Sequence, residues 1–423
     1  MKNKTAYAIK GQIVFNKQKN ELCILPNTWL VQEDGKVVGT FETLPEAYAN
    51  IPQKDYGDAI IIPGLVDLHV HAPQYAFRGM GMDLELLDWL NTYTFPEESK
   101  YGAAEYANKA YGMFVEDLKN SATTRACIFA TIHTPATLHL MRMLEKSGMH
   151  AFVGKVNMDR NSPDYLCETT NGSVAATLDW LSQCDTKNVK PMLTPRFVPS
   201  CTDALMRELA KIQAEKNLPV QSHLSENPSE IAWVRELAPK SKNYGDAYAR
   251  FNLFGNEVPT VMAHCVYCEP AEIESMKARG VYVAHCPQSN TNLASGIAPA
   301  RTYLDADMHI GLGSDIAGGM SISILRAMSD AVQMSKMRWR YVDDTQKPLT
   351  LPEVLYMATK GGGEFFGKVG SFEPDYEFDA VVLDDKNLSH PQELSIANRL
   401  ERLMNLADDR NICAKYIAGV AVK

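Results

Sequence analysis

His69 and His71 stand one residue apart at the end of an apolar run, PGLVDLHVHAPQY, residues 63–75. On an extended backbone positions i and i+2 share a face, about 6.6 Å apart along the chain, so both imidazoles point the same way and one cation can sit between them. Zinc bonds imidazole nitrogen at about 2.0 Å and takes about four ligands, so the pair supplies half a coordination shell. His223, in QSHLSEN, and Asp315, in GLGSDI, close later apolar runs. Three histidines and one aspartate make a borderline to hard ligand set that suits one zinc ion per chain, with iron or manganese as alternatives. A catalytic metal of this kind keeps a position for water and lowers its pKa from about 15.7 to about 7. At about 1.36 kcal/mol per unit this favours hydroxide by about 12 kcal/mol, more than a lone general base contributes. The chemistry expected is therefore metal-assisted hydrolysis.

Glu226 lies three positions beyond His223. Alone it would read as the acidic first turn of a helix before Pro228, but beside a ligand it can shuttle a proton. Other templates fit less well. Cys265 and Cys268 form CVYC without the H-x-E and P-C-x-x-C of the cytidine deaminase type of zinc site, so they read as interior thiols. GLGSDI lacks the third glycine of G-x-G-x-x-G and no G-x-S-x-G elbow occurs, which leaves dinucleotide and acyl-serine chemistry unsupported. His133 and His285 pair with no other candidate ligand and are assigned structural or supporting places. The stretch MSKMRW reads as helix packing.

These residues need elements that bring them together. GLVDLHV, TTRACIFAT, AFVGKVNM, KPMLTPRF, PVQSHLS, TVMAHCV, VYVAHCP and HIGLGSD are eight candidate strands. DLELLDWLNTYTF, TLHLMRMLEKSG, VAATLDWLSQC, TDALMRELAKIQAEKN and EPAEIESMKARG carry apolar residues at helical spacing between them. Alternating strands and helices predict an α/β protein, a (β/α)8 TIM barrel, with a doubly wound parallel sheet as the rival. His69 and His71 then end strand one, Arg196 strand four, His223 strand five, His264 strand six and Asp315 strand eight. In a barrel those C-terminal ends converge on one face. Before and after this region the chain is strand-like: IKGQIVF, LVQEDGKVVGTF about an Asp34-Gly35 turn, FDAVVLDD and KYIAGVAVK. The two termini are expected to pair as one small β domain, residues 1–65 plus 371–423, beside a catalytic barrel of 66–370. The segment from Asn227 to Gly255 is long enough to border the barrel mouth.

With 423 residues, 42 basic against 51 acidic and a net charge of -9, the chain can bury a large core and offers no basic block, so nucleic acid is not an expected partner. No stretch approaches the roughly 18 apolar residues of a membrane span, and MKNKTAYAIKGQIVF lacks a signal-peptide core. A soluble, cytoplasmic protein with no membrane partner is expected. Nine scattered cysteines, an odd number, read as reduced thiols rather than a disulfide framework.

PGLVDLHVHAPQY, LLDWLNTYTFPEE, FATIHT, FVGKVNMD, TPRF, QSHLSEN, MAHC, AHCPQSN and GLGSDIAGG occur in that order and resemble the amidohydrolase superfamily. HAPQY, WLNTYTFPEE and TPRF resemble its guanine deaminase family in particular, and the likeness runs over roughly residues 63–379. The resemblance implies a metal-dependent barrel with a split β-sandwich, a purine base, guanine, as small-molecule partner, its hydrolysis to xanthine and ammonia in purine catabolism, and a homodimer. It places the metal on His69, His71, His223 and Asp315, the proton-shuttling carboxylate on Glu226, and purine contacts on Gln74, Arg196 and Phe197. Guanine presents O6 and N7 acceptors that an arginine satisfies, whereas adenine offers a donor in place of O6. A site built on buried hydrogen bonds rejects such a mismatch by roughly 10⁴-fold, which makes Arg196 a discriminator. Phe197 would stack on the ring, His264 would steady the developing charge, and Asp315 would orient the nucleophile. Two alternatives stand beside this reading: an amidohydrolase for cytosine, another aminopurine or a triazine, and a non-catalytic scaffold on the same fold.

Overall fold

The computed structural model of the protein describes residues 5–423, so Met1 to Lys4 of the N-terminal stretch considered above lie outside the described residues. Four parallel strands, Leu65–His71, Thr123–Phe129, His150–Gly154 and Val189–Pro191, pair in sequence order. Val220–Leu224, Thr260–His264, Tyr282–His285 and Ile310–Leu312 form a second parallel set. Both seams close. The Asp315 N–H donates to His69 O (2.8 Å) and the His71 N–H to Ile316 O (3.2 Å), while Gln221 N–H donates to Leu193 O (2.9 Å) across the other join. The result is the eight-stranded barrel expected from the strand and helix alternation. Strands three and four are interrupted, and the short pieces Val156–Asn157 and Thr194–Pro195 pair on their own. Pro191 and Pro195 bring no N–H to a ladder, which accounts for the break in strand four.

Both faces of the barrel strands are covered, so they read as continuous apolar runs rather than alternating ones. Val66, Leu68, Cys127, Met192, Val261 and Ala284 pack inside. Outside lie helices Thr134–Ser147, Thr170–Ser182, Asp203–Lys216 and Pro270–Ala278, where the spacing predicted them. Thr202 Oγ1 accepts from the Leu205 N–H to start one of them, and Asn217 in the left-handed region (φ 52°) ends it. The helix expected over 83–95 is displaced: it runs as Leu86–Trp89, a π turn over Leu90–Thr94, and Phe95–Ser99. MSKMRW lies in a helix, Ile324–Tyr341, as expected; Met334 and Ser335 contact Thr291 and Leu349, whereas Met337 and Trp339 face outward.

Ala6–Phe15, Cys23–Glu33, Lys36–Phe41 and Gln53–Pro63 join Ala380–Leu383, Ile412–Ile417 and Val420–Ala421 in one seven-stranded sheet. Asp34 (φ 52°) and Gly35 (φ 83°) make the turn between the second and third of these strands. Gln53–Pro63 was not foreseen, because its first half, QKDYGD, is polar and mostly exposed. It holds the termini together, pairing parallel with Ala6–Phe15 and antiparallel with Ala380–Leu383. A bridge between Lys36 and Glu377 turns the sheet's edge back on itself. The layers of the expected sandwich are thus two halves of one curled sheet around Ile13, Leu30, Ile61, Phe378 and Val382. Val14, Ile60, Ile62 and Val381, on its other face, join the barrel's core.

Polar ties fix the sheet to the barrel. Arg125 Nε and Nη2 donate to the two carboxylate oxygens of Asp379 at 2.6 and 2.9 Å. Lys415 Nζ donates to the carbonyls of Leu118, Ser121 and Thr123 at 2.9 to 3.1 Å. Among the described residues no helix is long and apolar enough to cross a membrane, and all nine cysteines are free.

Candidate active site

The C-terminal strand ends do converge. Nε2 of His69 and Nε2 of His71 lie 3.1 and 3.4 Å from Asp315 Oδ1, and His71 Nε2 is 3.2 Å from His223 Nε2. Ser225 (φ 47°), His264 (φ 73°) and Asp315 (φ 45°) sit at or just past strand ends in the left-handed region, a backbone strain that clusters at functional sites. Phe129, ending strand two, backs the cluster, with its ring centroid 4.6 to 5.0 Å from those of His69, His71 and His223.

The donors fit a divalent cation. His69 is fully buried, yet among the described residues its Nδ1 and His71 Nδ1 have no hydrogen-bond partner, and His69 Nε2 meets only the Asp315 carboxylate, without hydrogen-bond geometry. Buried polar atoms left in this way are costly and need a reason. Ligand bonds of about 2.1 Å put tetrahedral ligand atoms roughly 3.4 Å apart, close to the spacings seen here. Two overlapping groups have metal-holding geometry, His69 with His71 and His223, and His69 with His264 and Asp315. His223 Nδ1 lies 2.6 Å from Arg196 O and His264 Nδ1 lies 2.9 Å from Asn290 Oδ1. Each of these contacts assigns the proton to Nδ1 and leaves Nε2 for the centre.

Glu226 reaches the same space. Its Oε2 is 3.4 Å from His264 Nε2, and its Oε1 accepts from Ser295 Oγ (3.0 Å). Burial, opposed by His264 and reinforced by Glu230, pushes the Glu226 carboxyl up to about 7. Asp315 goes the other way: burial would raise it, but His69, His264 and His71 hold it well below the usual carboxylate range. Burial lowers His69, His71 and His223, keeping the imidazoles neutral and able to ligate.

A pocket opens over this cluster. Gln74, Arg196 and Phe197 line it beside Glu226, and Leu86, Trp89, Leu90 and Leu293 make its apolar side. His133 and His285 are not among the lining residues. His285 is buried, and burial lowers it to about 4. Cys265 is buried with its Sγ against carbonyl oxygens of its own turn, an interior thiol as expected. The segment from Asn227 does border the mouth: Pro228–Leu237 is a helix opened by a capping box of Asn227 and Glu230, and Glu230 lines the pocket.

Sequence reasoning missed Glu98, Asn290 and Phe129. Glu98 is buried and accepts from Arg196 Nη1 (2.6 Å), Arg196 Nη2 (3.0 Å) and Gln74 Nε2 (3.1 Å). The Arg196 guanidinium is thus held on one side. Glu98 follows the π turn over Leu90–Thr94, so regular helical spacing does not place it on the inward face. Asn290 stood in AHCPQSN with no cue to its partner. Phe129 looked like any strand residue.

A closed eight-stranded barrel with imidazoles and one aspartate gathered at its C-terminal face defines a class of metal-dependent hydrolase. The chain matches the amidohydrolase family over residues 60–422, and it belongs to that family. More particularly, it is 36% identical to guanine deaminase of Dictyostelium discoideum over 100% of this chain and 99% of that one. It is 42% identical to guanine deaminase of Mus musculus over 85% of this chain and 82% of that one. Its structure is similar to the crystal structure of guanine deaminase from C. acetobutylicum with bound guanine in the active site, with a TM-score of 0.96 and 46% identity, covering 99% of this chain and 100% of that one.

Proposed function

We propose that this protein is a guanine deaminase that hydrolyses guanine to xanthine and ammonia. The observation that carries the reading is one pocket lined by Arg196 and Gln74, both held by Glu98, together with Glu226, His71, His223, His264 and Asp315. His69, His71, His223 and Asp315 are the residues that would hold the divalent ion. When bound, that ion supplies Lewis acidity and an activated water.

The side chains of the chain then divide the work. Arg196 and Gln74 orient the base through its acceptor atoms, with Phe197 against the ring, so that C2 faces Glu226. Glu226 takes a proton from the attacking water and delivers it to N3 as the oxygen adds to C2. His264, with Nε2 3.4 Å from Glu226 Oε2 and 3.7 Å from Asp315 Oδ2, steadies the charge that develops at the tetrahedral centre. Asp315 orients the nucleophile. The second water proton passes through Glu226 to the exocyclic nitrogen, the C2–N bond breaks, and ammonia leaves while C2 becomes a carbonyl. A carboxyl near 7 suits both directions of transfer at neutral pH.

The same reading takes zinc as the ion, and a cytoplasmic homodimer in purine catabolism as the setting. It divides the chain into a β unit, residues 1–65 plus 371–423, and a catalytic unit, 66–370. Zinc suits the neutral imidazoles and single carboxylate of the site; setting and assembly rest on the family resemblance. The test is ammonia release from guanine by zinc-loaded protein, run against cytosine, 2,6-diaminopurine and a triazine. Release from one of those and none from guanine would hand the site to another heterocycle.

A further inference from the structure

We infer that Glu98 is the positioning residue of the base-recognition site. Its carboxylate fixes Arg196 and Gln74 as one donor array and cancels the charge of Arg196, so that the pocket selects a neutral ring with an acceptor at position 6. This rests on the proposal that guanine is the substrate.

The argument begins with hydrogen-bond capacity. A guanidinium carries five N–H groups, and Glu98 takes one from each terminal nitrogen in a fork-to-fork pair. Three N–H groups stay free, in a plane set by the pair rather than by the rotamers of a long side chain. Glu98 Oε1 also accepts from Gln74 Nε2, while Gln74 Oε1 accepts from the Ala317 N–H (3.2 Å). The amide of Gln74 is thereby assigned, with one N–H and one lone pair left for a ligand. Phe95, one turn before Glu98, adds its ring 5.4 Å from the Arg196 guanidinium carbon. These partners come from the first strand's exit, the helix after the π turn and the end of strand four, and among the described residues Glu98 is the group that hydrogen-bonds both Gln74 and Arg196.

Charge completes the case. Arg196 and Glu98 are both buried, and an unpaired buried arginine would favour anions. Paired, it offers direction without net charge, which is what a neutral base requires.

The experiment compares Glu98→Gln and Glu98→Asp with the wild type, all zinc-loaded, recording zinc content and melting temperature beside the kinetics. Glu98→Gln should raise KM for guanine by about tenfold or more while kcat changes by less than about threefold, the pattern of lost binding rather than lost chemistry. It should also cut the preference for guanine over 2-aminopurine, which lacks O6, by about tenfold or more. Glu98→Asp, which keeps the charge, should fall between. A wild-type KM and preference in Glu98→Gln would overturn the inference, and so would a fall in kcat with KM unchanged. If Glu98→Gln does not fold, Glu98→Asp decides by the same two readouts, and loss of fold in both shows a structural tie instead. Failure of the wild type to release ammonia from guanine is a separate result that removes the substrate assignment itself.

Discussion

Glu226 and Asp315 are carboxylates of one pocket with opposite titration behaviour. Burial and Glu230 lift the first to about 7, whereas the imidazoles around the second outweigh burial and keep it ionised. Two carboxyls pushed apart in this way divide proton transfer from ligation. Glu226→Gln should therefore keep its zinc, measured by elemental analysis, while turnover falls by on the order of 10² to 10⁴. Retained turnover would remove Glu226 from the proton path. Asp315→Asn should lose the metal, because the carboxylate lies within 3.1 to 3.4 Å of two ligand imidazoles and the amide donates poorly to a cation. Stripping the wild type with a chelator should abolish ammonia release and lower the melting temperature, with both restored by added zinc. Ligand linkage amounts to about 4 kcal/mol at a thousandfold excess over Kd.

At the scale of elements, the pocket wall is built by two helices that meet over the barrel mouth. Asn227 opens Pro228–Leu237 with a capping box, and its Nδ2 donates to Glu85 Oε1 (3.1 Å) just before Leu86. A lost cap of this kind costs about 1 kcal/mol. Asn227→Ala should lower the melting temperature by roughly a degree or two, and kcat/KM should fall as well because Glu226 precedes the cap directly. An unchanged kcat/KM would show that the wall does not depend on this joint. The π turn over Leu90–Thr94 adds one residue to the register of the other helix, so Leu86, Leu90, Phe95 and Glu98 all point inward. A regular 3.6-residue period ends that stripe early, which is why the spacing in the sequence placed the helix over 83–95 and passed over Glu98.

At the scale of the whole molecule, the curled terminal sheet and the barrel are held by apolar packing and by the buried Arg125–Asp379 pair. Burial would raise the Asp379 carboxyl, but Arg125 outweighs it and holds it below the usual range. A folded-state pKa depressed in this way contributes stability that is present above the unfolded value of about 3.9 and lost as pH falls through the folded one. The melting temperature of the wild type should therefore drop more steeply below about pH 4 than that of Asp379→Asn. At neutral pH the variant should be less stable by about 1–3 kcal/mol, since Arg125 loses its buried partner and keeps only the half-exposed Glu377 carboxylate at 3.1 Å. Equal acid profiles would place the acid sensitivity elsewhere. The sequence by itself determined the barrel and the gathering of His69, His71, His223, Asp315 and Glu226 at its C-terminal face, because strand runs repeat and these residues sit at or just past strand ends. Arg196 was legible as a strand-end residue and Gln74 only through resemblance, whereas Glu98, Asn290 and the strand Gln53–Pro63 were not legible at all. Pairing between Glu98 and Arg196, 98 positions apart, or between Lys36 and Glu377, is a fact of closure, and side chains carry no local mark of the partner that a closed sheet brings to them.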